Sequence, residues 1–229
     1  MRFSWLLLFI LLFATGAGAQ QKRVIIGMRF GPYVPQNWEV QGVFHLNYTS
    51  EGSPTSAVIS GFGDGSVIML HGTYYPSDWG VMLEAGVILL NGRHIDMAFA
   101  PGIRDMYENH LTILPITLSL LHTLGESGQK FQPYAGIGVG LYMGEMELKH
   151  FPEGAQRTWL KGSSDPFELH FLMGADFPIY YDLLFEAQFK YALTHSDWKL
   201  NNEDSGAVSE MRGLNIGGVV LGFGLSYQF

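Results

Sequence analysis

Residues 134–144 read YAGIGVGLYMG, and the alternation in them never slips. Ala135, Ile137, Val139, Leu141 and Met143 fall on one side. Tyr134, Gly136, Gly138, Gly140, Tyr142 and Gly144 fall on the other. A period of two is a strand's period, and no helix gathers those apolar residues on one face. The same pattern returns in Trp79, Val81, Leu83, Ala85, Val87 and Leu89, and in Phe167, Leu169, Phe171, Met173, Ala175 and Phe177. It returns again in Leu183, Phe185, Ala187, Phe189, Tyr191 and Leu193, and in Leu221, Phe223, Leu225, Tyr227 and Phe229. Helical periodicity is scarce, and after residue 20 no apolar run is long enough to cross a bilayer as a helix. The sequence predicts an all-β chain with strands near 22–31, 66–75, 79–91, 110–123, 131–146, 166–177, 181–196 and 213–229.

The connections alternate in length. Long ones fall at 32–65, 92–109, 147–165 and 197–212; short ones fall at PSD (76–78), LGESGQK (124–130) and PIY (178–180). Four long loops and three short turns are the pattern of an eight-stranded antiparallel up-and-down transmembrane barrel, with long external loops, short periplasmic turns and both termini periplasmic. The faces agree. Opposite the apolar residues stand Glu84, Glu168, His170, Glu186, Gln188 and Lys190. An eight-stranded barrel is too narrow to hold the phenylalanines of residues 166–196 inside it. They are expected to face lipid, with the glycines and polar residues in the lumen. Tyr74, Tyr75, Trp79, Tyr180, Tyr181, Trp198, Tyr227 and Phe229 fall near the expected membrane boundaries as two aromatic girdles. In hydrocarbon no sheet edge stays unpaired, so the last strand must close on the first.

The first residues, MRFSWLLLFILLFATGAGAQ, read as a targeting segment: a basic start at Arg2, a short apolar core and the small-x-small pattern Ala17-Gly18-Ala19. The expected division is a signal peptide, 1–19, and a barrel domain, 20–229. Removing the segment leaves 12 Lys and Arg against 21 Asp and Glu, a net of −9, which argues against nucleic acid as a partner. With no Cys, the chain has neither a lipoprotein anchor nor disulfides.

Three stretches carry a resemblance to a known family. LPITLSLLH (114–122) with FQPYAGIGVGLY (131–142), YYPSDWGVMLEAG (74–86) and the tail LGFGLSYQF resemble the small eight-stranded outer-membrane barrels, most of all the OmpW-like family. The stretch RFGPYVPQNWEVQG departs from it. The resemblance implies the bacterial outer membrane, with its lipid as surroundings, and passage of small hydrophobic molecules through a narrow barrel. It makes Tyr227 and Phe229 part of an assembly signal read by periplasmic chaperones and the barrel-assembly machinery.

Two groups of lumen residues are singled out. Arg29, Glu84, Glu186 and Lys190 fall on inward faces near mid-strand, where charges are costly unless paired. Val67, Met69, Ile88, Leu90, Leu111, Ile113, Met146, Leu214 and Ile216 fall inward at the external ends and form an expected apolar vestibule for a ligand. Packing beneath the loops as a cap is the alternative. The leading function is a narrow pore or binding barrel; the alternative is a structural or surface-interaction barrel with a plugged lumen, and a lipid-modifying enzyme stands third. No cofactor, metal or catalytic residue is expected. Gly136-x-Gly138-x-Gly140 lacks dinucleotide spacing and a following helix, and reads as lumen space beside Tyr134 and Tyr142. His195-Ser196-Asp197 places neighbouring residues on opposite faces unless the strand breaks there. Asn47-Tyr48-Thr49 reads as loop. His71 and His170 point inward without metal-ligand spacing.

Overall fold

The computed structural model describes residues 23–36, 39–40, 59–60, 65–95, 105–125, 131–152, 158–202, 208–214 and 216–229. The targeting segment with its cleavage site, and Asn47-Tyr48-Thr49, lie outside the described residues. Eight antiparallel strands form the wall: β1 (Arg23–Pro35), β2 (Gly65–Tyr75), β3 (Trp79–Ile95), β4 (Asp105–Thr123), β5 (Gln132–Pro152), β6 (Phe167–Tyr180), β7 (Leu183–Thr194) and β8 (Gly218–Gln228). Each pairs with the next, and β8 pairs with β1 from Ile25↔Gln228 to Pro35↔Gly218, so the sheet closes. Phe229 completes that seam: its N–H donates to the Val24 carbonyl at 2.8 Å. Tyr227 donates to Asp182 at 3.3 Å, and its ring meets that of Phe229 edge-on. Closure leaves the transmembrane part without a free edge.

The alternation assigns the faces as expected. Ile68, Leu70, Leu83, Leu118, Ile137, Leu141, Phe167, Phe171 and Phe223 are all exposed on the outer face. Their inward neighbours Met69, Glu84, Thr117, Ser119, Tyr142, Glu168 and His170 are buried. Ala175 is buried although it points outward. Along β5 the outer face passes from Leu141 and Met143 to Glu145, Glu147 and Lys149, and along β3 from Leu89 to Asn91. There the apolar belt ends.

The structure corrects several boundaries. The third short turn is Tyr181-Asp182, not PIY: β6 runs through Pro178 to Tyr180, with a register shift beside the turn and Tyr181 at φ 44°. A proline is tolerated where a ladder ends irregularly. Much of the expected loop sequence is strand. β3, β4 and β5 run on past the belt, and Thr158–Ser164, Ser196–Asn202 and Val208–Leu214 extend the wall beside them. Charged residues replace apolar ones on the outer face there, so the alternation of hydrophobicity fades while the strand continues. Within 32–65, Glu39–Val40 pairs with Ile59–Ser60.

The expected strands 181–196 and 213–229 are each broken. Pairing of β7 with β6 ends at Thr194↔Glu168 and resumes in the same register at Lys199↔Ser163. Pairing with the β8 side ends at Ala192↔Gly218 and resumes at Ser196↔Leu214. The unchanged register sets Ser196 opposite Pro166, which has no N–H to give, and Asp197 opposite Asp165, a like-charged pair. The Ser164 hydroxyl spans the interruption, donating to the Asp197 carbonyl at 2.9 Å.

Candidate functional site

The lumen is filled in three tiers. The lowest, toward the short turns, is apolar: Ile25, Tyr75, Met82, Leu121, Tyr134, Leu172 and Leu184. Arg23 bonds Gln132 and lies over the Tyr75 ring at this end.

The middle tier is ionic. Glu84 on β3 takes Arg29 Nη2 from β1 at 2.5 Å on one oxygen and Lys190 Nζ from β7 at 3.1 Å on the other. Thr117 on β4 donates to that second oxygen at 3.1 Å. Arg29 also approaches Glu186 at 3.8 Å, and His71 Nε2 lies 2.8 Å from Glu186. All four residues expected to form a charge cluster are therefore brought together. Glu168 and His170 on β6, inward like Gln188 and Lys190 on the neighbouring β7, join them: Lys190 Nζ is 3.8 Å from Glu168, and His170 Nδ1 is 3.0 Å from it. His170 Nε2 lies 2.8 Å from Ser119 Oγ. The inward histidines do not share a ligand; each faces its own carboxylate.

The glycines make this tier possible. A Cβ on Gly138 would strike the His170 ring, and one on Gly140 would strike Glu168 and Thr117. The cleared space is used by side chains leaning across from β4 and β6, rather than lying empty beside the tyrosines. Only residues without a side chain allow ring and carboxylate to cross the wall so closely.

The upper tier is apolar again. Val67, Met69, Ile88, Leu90, Leu111, Ile113, Met146 and Ile216 fall into one buried cluster. Leu214 lies in Val208–Leu214, with its side chain outside the described residues. The sequence reading missed the cluster's largest members: Tyr33, Tyr142 and Trp198, with Leu148, Leu160 and Leu200 from the extended wall. Tyr33 donates to the Ile216 carbonyl, and Trp198 Nε1 donates to Ser196 Oγ at 2.7 Å. Trp198, expected in an interfacial girdle, is fully buried, because the strand continues there and 198 is an inward position. Thr194, Ser196 and Trp198 in even steps would have shown it.

His195 and Ser196 remain on opposite faces despite the break, His195 exposed and Ser196 buried. Among the described residues, no group of three or more His, Asp or Glu is arranged to hold a metal ion.

No protein-family profile matches the chain, and no curated protein matches it. Solved structures do. The outer membrane protein AlkL in lipid bilayers superposes with a TM-score of 0.54 at 18% identity, over 94% of this chain and 93% of that one. A major outer membrane protein of Thermus thermophilus superposes with a TM-score of 0.50 at 11% identity, over 92% of this chain and 100% of the other. The E. coli outer membrane protein W shares 22% identity over 89% of this chain and 97% of that one, with a TM-score of 0.36. Closure of all eight strands, the exposed apolar belt and the first two superpositions agree: the chain is a multi-pass β-barrel with the fold of the small eight-stranded proteins of the bacterial outer membrane.

Proposed function

We propose that this barrel takes small hydrophobic molecules into its upper lumen and is not a water-filled pore. One observation carries the reading: a continuous apolar cluster rests on a salt-bridged tier that shuts the way down. Ligand sites are mostly apolar with few polar groups, and barrel mouths commonly hold them. Both termini and the short turns face the periplasm in this reading, so the molecule arrives from outside. It leaves sideways, at the interrupted pairing beside His195, where Leu193 is the last apolar residue of the outer face.

Leu90→Glu with Ile216→Glu places two carboxylates in the upper cluster. The double variant is expected to keep the mobility shift between unboiled and boiled samples on a denaturing gel, which marks a closed barrel. It should lose at least about tenfold in binding or uptake of a small hydrophobic solute, as burying an uncompensated charge requires. Unchanged uptake in the folded variant would refute the reading. A structural or surface-interaction barrel with a plugged lumen would then stand, favoured by the complete burial of Tyr33, Tyr142 and Trp198.

The tail supports a role for the assembly machinery and its chaperones. Deleting Phe229 removes a single pair of seam contacts with Val24. It is expected to lower the amount of protein in the outer membrane several-fold and leave precursor in the periplasm, while assembled protein keeps near-normal resistance to heat. Normal assembly of the truncated chain would dismiss the tail as a signal.

A further inference from the structure

We infer that the molecule held in the upper lumen has an apolar body and a neutral or cationic hydrogen-bond-donating head, as a long-chain alcohol or amine has, and that fatty-acid anions are refused. This rests on the reading of the upper tier as a binding region. It comes from what the floor of that tier presents.

The floor is made by Glu168 and Thr194, which face each other across the β6–β7 ladder immediately below Ser196 and Trp198. Both point inward and are buried. The Thr194 hydroxyl has no hydrogen-bond partner, and neither does the Asn109 carbonyl oxygen, which points inward higher on β4. Two donors of this tier are already used, Tyr33 on the Ile216 carbonyl and Trp198 on Ser196, while the Thr194 hydroxyl stays open to donate as well as to accept. The upper lumen is therefore left with open acceptors at Asn109 and Thr194 against a single open hydroxyl donor, and an unsatisfied buried acceptor costs about 1–3 kcal/mol. A donating head meets that need, and an aprotic chain does not.

The charge count sets the sign. Glu84, Glu168, Glu186 and Asp176 are buried in the lumen, against Arg29 and Lys190, with Arg23 at the lower end. Both buried histidines already face carboxylates, His71 on Glu186 and His170 on Glu168, and the Tyr142 hydroxyl also lies beside Glu168. Lys190 approaches Glu168 while it serves Glu84. A carboxylate head arriving on this floor adds an anion where acids already outnumber fixed cations. An ammonium or hydroxyl head gains a hydrogen bond to a charged acceptor, the stronger kind.

Trp198 reports on the site from within. In the mature chain with Trp38, Trp79 and Trp159 replaced by Phe, it is the remaining tryptophan and is excited selectively over the tyrosines. The full barrel, in phosphatidylcholine nanodiscs near neutral pH, is titrated with terminally brominated alkanes of equal length bearing a hydroxyl, an amine, a carboxylate or no head. Bromine quenches the indole on contact, and concentrations are expressed as mole fraction in the bilayer. The amine and the alcohol are expected to quench at about tenfold lower mole fraction than the carboxylate, the worth of one charged hydrogen bond. Thr194→Val should weaken the alcohol and leave the headless alkane unchanged, and Glu168→Gln should narrow the gap between amine and carboxylate. A carboxylate that quenches as well as the amine overturns the inference and leaves the binding region standing. Failure of all four compounds, the headless one included, removes the binding region and this inference with it.

Discussion

Glu84→Ala is expected to lower the stability of the closed barrel by about 3–5 kcal/mol, the cost of leaving buried charges without their partner. Glu84 is the hub of the middle tier. From β3 its two oxygens hold Arg29 and Lys190, on the two strands that flank β8, at 2.5 and 3.1 Å. Once it is removed, the nearest carboxylates left to them stand at 3.8 Å, Glu186 for Arg29 and Glu168 for Lys190. The measurement is the temperature at which the compact form on an unboiled gel gives way to the unfolded one, backed by denaturant unfolding in detergent. Glu84→Leu combined with Lys190→Met should recover most of the loss, since an apolar pair of similar volume does not leave the Lys190 charge stranded. The two single variants and the double then show strong coupling. A Glu84→Ala barrel within about 1 kcal/mol of wild type would mean that the tier fills space without bracing the wall.

Gly138→Val is expected to be the next most damaging change, at about 3 kcal/mol, near the upper end of overpacking costs. Its Cβ would meet the His170 ring and the Leu118 carbonyl oxygen. The ring can swing away, but the carbonyl belongs to the β4–β5 ladder and stays. Displacing His170 also breaks its contacts with Ser119 and Glu168. Gly72→Val is the control. Gly72 faces outward on β2, and a Cβ there meets nothing within 4 Å. Valine in a lipid-facing strand position should be neutral or mildly stabilising. Equal effects at both positions would show that the damage comes from losing strand glycines in general, and not from the crowded crossing at Gly138.

Period two was enough to reveal which residues face lipid and which face the lumen, because a strand has only two faces and a narrow barrel cannot take whole rows of phenylalanine inside. The same alternation placed Arg29, Glu84, Glu186 and Lys190 inward, and the tail's unbroken pattern marked a strand that must close the sheet. What it could not supply was height and neighbourhood. Lys190 and Glu84 are separated by 106 positions, and only the stagger of the four ladders between β3 and β7 brings Nζ to the carboxylate. Glu168 and His170 were visible as inward residues, yet their membership of the ionic tier depends on β6 lying beside β7 in that register. The strand extensions were hidden for another reason. Beyond the lipid belt the outer face turns polar, so Glu147 and Lys149 look like loop sequence, although the backbone pairing continues. Trp198 was misplaced by the same effect, and its burial follows from the wall rising past the belt. A single strand's sequence records its two environments; where each side chain meets its partners is decided by the closure and shear of the whole barrel.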